Sequence, residues 1–393
     1  MWQKLPRDLK LLLFSTILAN TASRMSLPFM PLFILELGGT VTQVGLFFTV
    51  HTLSASLLRP LGGWFSDSIG RIQAVALGAV FTMLGTLGFA LAPSWQWLLL
   101  SAVVMALGRG VVGPSFQAYI AEAAPPGQMA QTYGLVNGLF TICQIVGPAL
   151  GGWLAERYEL RLLFWVGVGL TAVATILRIY PGLGLVYRWE NVQIARLRAG
   201  FRGLAAGLVA GGLLTWLLVT DSLRDMGIQL YDNLQPLLMQ ANGIGEAQIG
   251  YLFSFFAIVY LLVSWFASRL ADRWGATVAL AVSGGIHAAG LLLLIWLTSI
   301  PMFWLFFALT GIAFGLGDPA FDAFLAKATP PEQLGLTFGL FSTALSLFTT
   351  PFPYVGSLLW EQAAPTAPFG LGALFLLAAG VVTWLYLRPF EKG

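Results

Sequence analysis

Long apolar runs alternate with short polar breaks along the whole chain. Uninterrupted runs of about 20 apolar residues predict helices that cross a bilayer. The pattern places them at 11–36, 42–66, 72–92, 97–121, 127–155 and 160–180, then at 204–240, 247–270, 276–299, 301–327, 331–360 and 367–387. Twelve helices predict an all-α, polytopic membrane protein with both termini on one side. Lys4, Arg7 and Lys10 precede the first run, as in a signal peptide. The run continues past Asn20 and Arg24 to about Leu35, too long for the apolar core of a leader, so it reads as a retained helix 1.

The polar breaks repeat. GGWFSDSIGR at residues 62–71 returns as SRLADRWGA at 268–276, and the shift from Gly63 to Ser268, Asp67 to Asp272 and Gly70 to Gly275 is 205 in each case. The same shift pairs Pro31 with Pro236, Gly45 with Gly250, Pro114 with Pro319, Gly134 with Gly339, Pro148 with Pro353, Gly151 with Gly356 and Glu156 with Glu361. A gap-free register of that length predicts a duplication: two pseudo-symmetric six-helix halves of equal orientation. The expected organisation is an N-terminal half at 1–180, a linker at 181–203 and a C-terminal half at 204–393. In the linker, Val186, Trp189, Gln193 and Leu197 form a stripe among Arg188, Arg196, Arg198 and Arg202. That pattern predicts an amphipathic helix on the cytoplasmic leaflet.

Composition sharpens this picture. Of 393 residues, 58% are hydrophobic and only 9% charged, with a mean hydropathy of +0.81. Soluble domains carry roughly 25% charged residues, so an ordinary soluble enzyme is excluded. The single cysteine, Cys143, excludes an internal disulfide. Basic residues form no nucleic-acid patch. They collect in alternate loops (Arg71, Arg273, Lys327 and Arg388 among them), whereas the opposite loops hold only Arg157 and Arg161. By the positive-inside rule both termini lie in the cytoplasm, and the expected location is the inner (cytoplasmic) membrane. No phosphate-binding loop, zinc spacing or nucleophile motif occurs, so neither enzyme activity, cofactor nor metal is expected. His51 and His287 stand singly and read as satisfied helix histidines.

Gly63, Asp67, Ser68, Ile69, Gly70 and Arg71 resemble the loop 2–3 signature of the major facilitator superfamily. Gly134, followed by Gly147-Pro148-Ala149-Leu150-Gly151-Gly152, resembles the antiporter motif of its twelve-helix drug:proton exporters, and Pro28 and Pro31 resemble their helix 1 pattern. Four positions depart from the family: Ser68 replaces Arg or Lys, Ser268 replaces Gly, Cys143 replaces Gly, and the helix 4 Arg of many exporters would fall near Val104, with Arg109 five residues later. The resemblance implies two halves around a central cavity lined by helices 1, 4, 7 and 10, opened alternately to each side. For the repeated stretch, physics predicts a gate. Gly63 lets helix 2 approach a neighbour closely and Gly70 permits a tight turn. Pro125-Pro126 and Pro330-Pro331 open helices 5 and 11, whose positive ends favour a carboxylate. Asp67 is therefore expected to cap helix 11, Asp272 followed by Gly275 to cap helix 5, and Glu122 to pair with Arg71.

Charges at bilayer depth cost roughly 2.5–3.5 kcal/mol each on insertion scales, and those in this chain fall on the four helices that the resemblance assigns to the cavity. They are Arg24 on helix 1, Arg109 on helix 4, Asp221, Arg224, Asp225 and Asp232 on helix 7, and Asp318 and Asp322 on helix 10. Thr16, Asn20 and Arg24 recur every four residues, one stripe of helix 1. Asp318 and Asp322, also four apart, disfavour each other's ionisation, which suits groups that take up and release protons. Asn137 and Gln144 on helix 5 are further candidates. With five Asp against three Arg, the expected activity is proton-coupled export of amphipathic or weakly basic small molecules by a monomer in a lipid bilayer. Uptake or facilitated transport of an anionic metabolite held by Arg24 and Arg109, or a lipid or lysolipid flippase, are the alternatives.

Overall fold

The computed structural model describes residues 5–125, 127–182, 212–296, 298–327, 329 and 334–391; at 59–65, 67, 130, 268–272 and 334–340 it describes the backbone alone. The described elements are helices, as apolar runs of this length require when no water is present to satisfy the backbone. In chain order they are α1 (Arg7–Ser26), a 3₁₀ turn (Leu27–Phe29), α2 (Met30–Glu36), α3 (Val41–Ile69), α4 (Arg71–Leu91), α5 (Trp95–Ala123), α6 (Met129–Arg157) and α7 (Leu160–Ile179). After them come α8 (Leu213–Tyr231), a 3₁₀ turn (Asp232–Leu234), α9 (Gln235–Ala241), α10 (Glu246–Trp274), α11 (Ala276–Trp296) and α12 (Ile300–Lys327). The chain ends with α13 (Leu334–Thr349), α14 (Phe352–Gln362), α15 (Ala367–Val382), a π turn (Thr383–Leu387) and α16 (Arg388–Glu391). The linker expected at 181–203 lies outside the described residues, apart from its first two.

The duplication is visible element by element. A shift of 205 carries α2 onto α9, α3 onto α10 and α4 onto α11, and the first 3₁₀ turn onto the second, without a residue of drift. The loop glycines match too: Gly38 and Gly243 have φ of 79° and 77°, Gly70 and Gly275 of 99° and 90°. These positive values are disfavoured by any residue with a Cβ, which explains the glycine in each repeat.

Three predicted helices are interrupted instead of continuous. Pro31 and Pro236 each stand at the second position of a short helix. Proline removes an N–H and crowds the carbonyl four residues back, so the helix tightens into the 3₁₀ turn just before it. In the eleventh span Pro351 separates α13 from α14. Its counterpart in the first repeat is Val146, and α6 accordingly runs unbroken to Arg157. Among the described residues nine helices are long and apolar enough to cross a membrane. The first, seventh and eleventh spans miss that measure because of these breaks and the charges on α1 and α8.

Packing divides the chain into two units: Met1–Thr40 with Val50–Val192 and Gly245–Ser254, and Val41–Thr49 with Gln193–Ile244 and Phe255–Gly393. In the first, α1 packs on α6 and α7, and α4 lies along α5. In the second, α15 packs on α8 and α11, and α11 on α12. Their cores are duplicates: Leu12, Val75, Ile120 and Val136 in one correspond by the same shift to Leu217, Leu280, Leu325 and Phe341 in the other. Each unit also caps a borrowed helix start. In the first, Glu156 accepts from the Ala247 N–H (2.8 Å); in the second, Glu361 accepts from the Thr42 N–H (3.0 Å) and from its hydroxyl. A carboxylate there satisfies an otherwise unpaired donor and meets the positive end of the helix. Large apolar side chains stay exposed on the outer faces, and Trp296, Trp274 and Trp97 stand near helix ends, as in a protein immersed in lipid.

Candidate functional site

In the second unit, α8 and α12 bring their charges to one cavity of about 370 Å³. Asp221 and Asp225 on α8 and Asp318 and Asp322 on α12 line it with Arg224 and Tyr260. All four of these carboxylates, candidates as charges at bilayer depth on helices that the resemblance assigns to the cavity, are brought together. Arg224 is the centre of charge. Its Nη2 donates to Asp318 Oδ1 at 2.5 Å, its Nη1 lies 3.7 Å from Asp221 Oδ1, and its guanidinium stands over the Phe314 ring at 5.0 Å. Four carboxylates around one guanidinium leave a surplus of acid, the chemistry of a site that binds cations or protons. Asp232 is not part of it. It opens the 3₁₀ turn, is exposed, and accepts from Gln235 Nε2 at 2.8 Å.

The first unit holds a cavity of the opposite sign. Arg24, Arg109 and Arg178 line a space of about 430 Å³ together with Thr16, Asn20 and Gln117. Arg109 Nη2 donates to Ser23 Oγ at 2.7 Å. The buried Arg178 donates from Nε to Ser15 Oγ (3.0 Å) and from Nη2 to Thr16 Oγ1 (3.2 Å). Asn20 is turned back onto its own helix, donating to the Thr16 carbonyl at 2.9 Å. Asn137 is exposed on α6 and does not line this cavity.

The repeated polar stretch is partly described. Arg71 Nε meets Glu122 Oε1 at 3.2 Å, the pairing expected from sequence, and Arg71 Nη1 also donates to Ser66 Oγ. Gly63 and Asp67 lie on α3 and Asp272 in the last turn of α10. The side chains of Asp67 and Asp272, and Pro126, Pro330 and Pro331, are outside the described residues, so the two caps expected there are too. In the antiporter-like motif, a Cβ on Gly147 would meet Arg24 Cβ at 2.6 Å, and one on Gly151 would run into the Met25 carbonyl oxygen. Gly152 lies against the backbone at Glu246, Ala247 and Gly250, whose own Cβ would strike the Pro148 carbonyl. These residues bring α6 against α1 and against the start of α10. Gly134 has open space around it.

A sequence model of the Major Facilitator Superfamily matches residues 12–220 and 217–393. The chain belongs to the Major Facilitator Superfamily. It is a multi-pass membrane transporter of small molecules, not an enzyme. Among superfamily relatives it is 23% identical over 395 residues, 98% of this chain and 96% of that protein, to the multi-drug resistance efflux pump PmrA homolog of Lactococcus lactis subsp. lactis. It is 27% identical over 173 residues, 44% of each chain, to the quinolone resistance protein NorA of Staphylococcus aureus. Solved structures share the fold. A peptide transporter POT in complex with sulfate superposes with a TM-score of 0.77 at 13% identity, over 98% of this chain and 95% of that one. A bacterial homologue of the iron transporter ferroportin, in its inward-facing state, gives 0.75 at 17% identity over 96% and 98%. At these identities the likeness is one of fold.

Several lining residues were missed in the sequence, Arg178, Tyr260 and Phe314 among them. Arg178 stands near the end of an apolar run and reads as an interfacial anchor. Tyr260 and Phe314 are indistinguishable from helix-packing aromatics until α10 and α12 are seen to share a cavity. His287, read as a satisfied helix histidine, does have a partner: its Nε2 shares a hydrogen bond of 2.5 Å with the buried Tyr231 hydroxyl.

Proposed function

We propose that this transporter exports amphipathic, weakly basic small molecules in exchange for protons, by alternating access. The observation that carries the reading is the acidic cavity, where Asp221, Asp225, Asp318 and Asp322 surround Arg224. Carboxylates crowded at membrane depth are costly and mark ion pathways. Asp225 and Asp318 are the proton carriers, Asp221 and Asp322 set their field, and Arg224 releases Asp318 when the site changes state. Similarity to a multi-drug resistance efflux pump homolog and to a quinolone resistance protein supports export over uptake.

On this reading the protein is a monomer of the cytoplasmic membrane with both termini in the cytoplasm and halves at 1–180 and 204–393 joined by a cytoplasmic linker. Gly63, Asp67, Gly70 and Arg71 with Glu122, and Asp272 with Gly275, form its cytoplasmic gate. The test is transport of a lipophilic cationic dye in proteoliposomes under an imposed pH gradient. Asp225→Asn and Asp318→Asn each should lower gradient-driven flux at least roughly a hundredfold, the low end of the usual scale for a lost proton-transfer group. Full pH-driven transport in both variants would end the proton-carrier role.

A further inference from the structure

We infer that the cavity of the first unit is a binding site for an oxyanion, a carboxylate or a phosphate group. Among the described residues three arginines line it, from α1, α5 and α7, and no carboxylate does. Among the described residues, the partners of Arg109 and Arg178 are hydroxyls: Ser23 for the first, Ser15 and Thr16 for the second. A guanidinium carries five N–H donors and stays charged at any accessible pH. Ser23 answers one of the five on Arg109, so donors and positive charge both remain available to a ligand. Fixed like charges in a low-dielectric space repel one another and favour a counter-ion. The planar fork of arginine matches the two oxygens of a carboxylate or phosphate. Space suits the chemistry too, since about 430 Å³ lies within the range of small-molecule pockets. Arg178 is built in at 4% exposed and Arg109 is half-buried, while Arg24, whose backbone packs against α6 at Gly147, is exposed.

This goes beyond export of a weak base, which needs no positive pocket, and it does not depend on proton coupling. The experiment measures binding without any gradient, so failure of proton-driven transport leaves it readable. Full-length protein in nanodiscs of phosphatidylcholine is titrated with benzoate, phenyl phosphate, benzamide and benzylamine at constant ionic strength. Thermal unfolding and tryptophan fluorescence are followed. Benzoate and phenyl phosphate should raise the melting temperature saturably, while benzamide and benzylamine should not. Arg109→Gln and Arg178→Gln should weaken benzoate at least tenfold, and Arg109→Lys less. If the glutamine variants do not fold, the contrast between benzoate and benzamide on the unaltered protein decides. Equal responses to those two probes, or unchanged benzoate affinity in a folded Arg109→Gln protein, overturn the site. A second titration in nanodiscs containing phosphatidylglycerol identifies the natural source. Competition with benzoate upholds the site with a lipid headgroup as ligand; an unshifted curve upholds it with a soluble solute.

Discussion

Arg224 meets Asp318 at 2.5 Å and Asp221 at 3.7 Å, and its side chain is only 15% exposed. Removing one partner of a buried ion pair leaves the other charge uncompensated, at a cost of roughly 3–5 kcal/mol. Asp318 is 36% exposed at its side chain, so some solvation remains and the low end applies. Arg224→Gln should therefore cost about 3 kcal/mol, read as a fall in melting temperature in one detergent. Adding Asp318→Asn should restore part of the loss. Glu122→Gln provides the contrast, because Glu122 is 59% exposed and exposed pairs contribute about 0.2–1 kcal/mol. If both variants melted alike, the cavity would be as wet as the surface. The four cavity carboxylates were legible because a charge inside an apolar run has few explanations. Arg178 was not, since helix ends are where basic residues are ordinary, and its exposure is set by neighbours that no local pattern reveals.

Helix identity was legible from apolar run length, and helix continuity was not. Pro31 sits within the apolar stretch Leu27–Phe33, so hydropathy passes over the turn at Leu27–Phe29, while at the second turn Asp232 and Asn233 read as polar groups on a continuous helix 7 and not as a break. The backbone cost of proline shows only in geometry. The antiporter-like motif divides in the same way. Gly151 and its repeat partner Gly356 each bring a helix onto the carbonyl of a neighbour, Met25 and Leu230, which are themselves one repeat apart. A Cβ at either position would meet backbone, which cannot rotate away. Gly151→Ala and Gly356→Ala should each destabilise by at least about 1–3 kcal/mol, the usual cost of overpacking, and lower the yield of folded protein on size-exclusion chromatography. Gly134 belongs to the same sequence motif but borders open space. Gly134→Ala should leave yield and melting temperature unchanged, or raise them slightly, because alanine favours helix more than glycine. Equal losses at all three glycines would mean that the motif acts as a sequence unit and not through these two contacts.

The duplication explains why so much of this molecule could be read before its structure was known. One register relates the turns, the helix breaks at Pro31 and Pro236, the two cores and the caps at Ala247 and Thr42. The charges do not follow that register: Asp221, Asp225, Asp318 and Asp322 correspond to Thr16, Asn20, Gly113 and Gln117. Scaffold is repeated, whereas the cavity chemistry has diverged, so the repeat cannot predict what each cavity binds. Orientation rests on yet another signal, loop charge, and it can be tested with little background. The only cysteine is Cys143, which is buried and lies 3.6 Å from the Ile17 carbonyl. In a Cys143→Ser protein, single cysteines replace Glu159, Asn242 or Lys327, all exposed in loops or at helix ends. If basic loops stay inside, an impermeant maleimide should label Glu159→Cys and Asn242→Cys on intact cells. Lys327→Cys should be labelled only after lysis. The reverse pattern would invert the protein in the membrane, turning the proposed cytoplasmic gate at Arg71 and Glu122 outward and making any gradient-driven export an uptake.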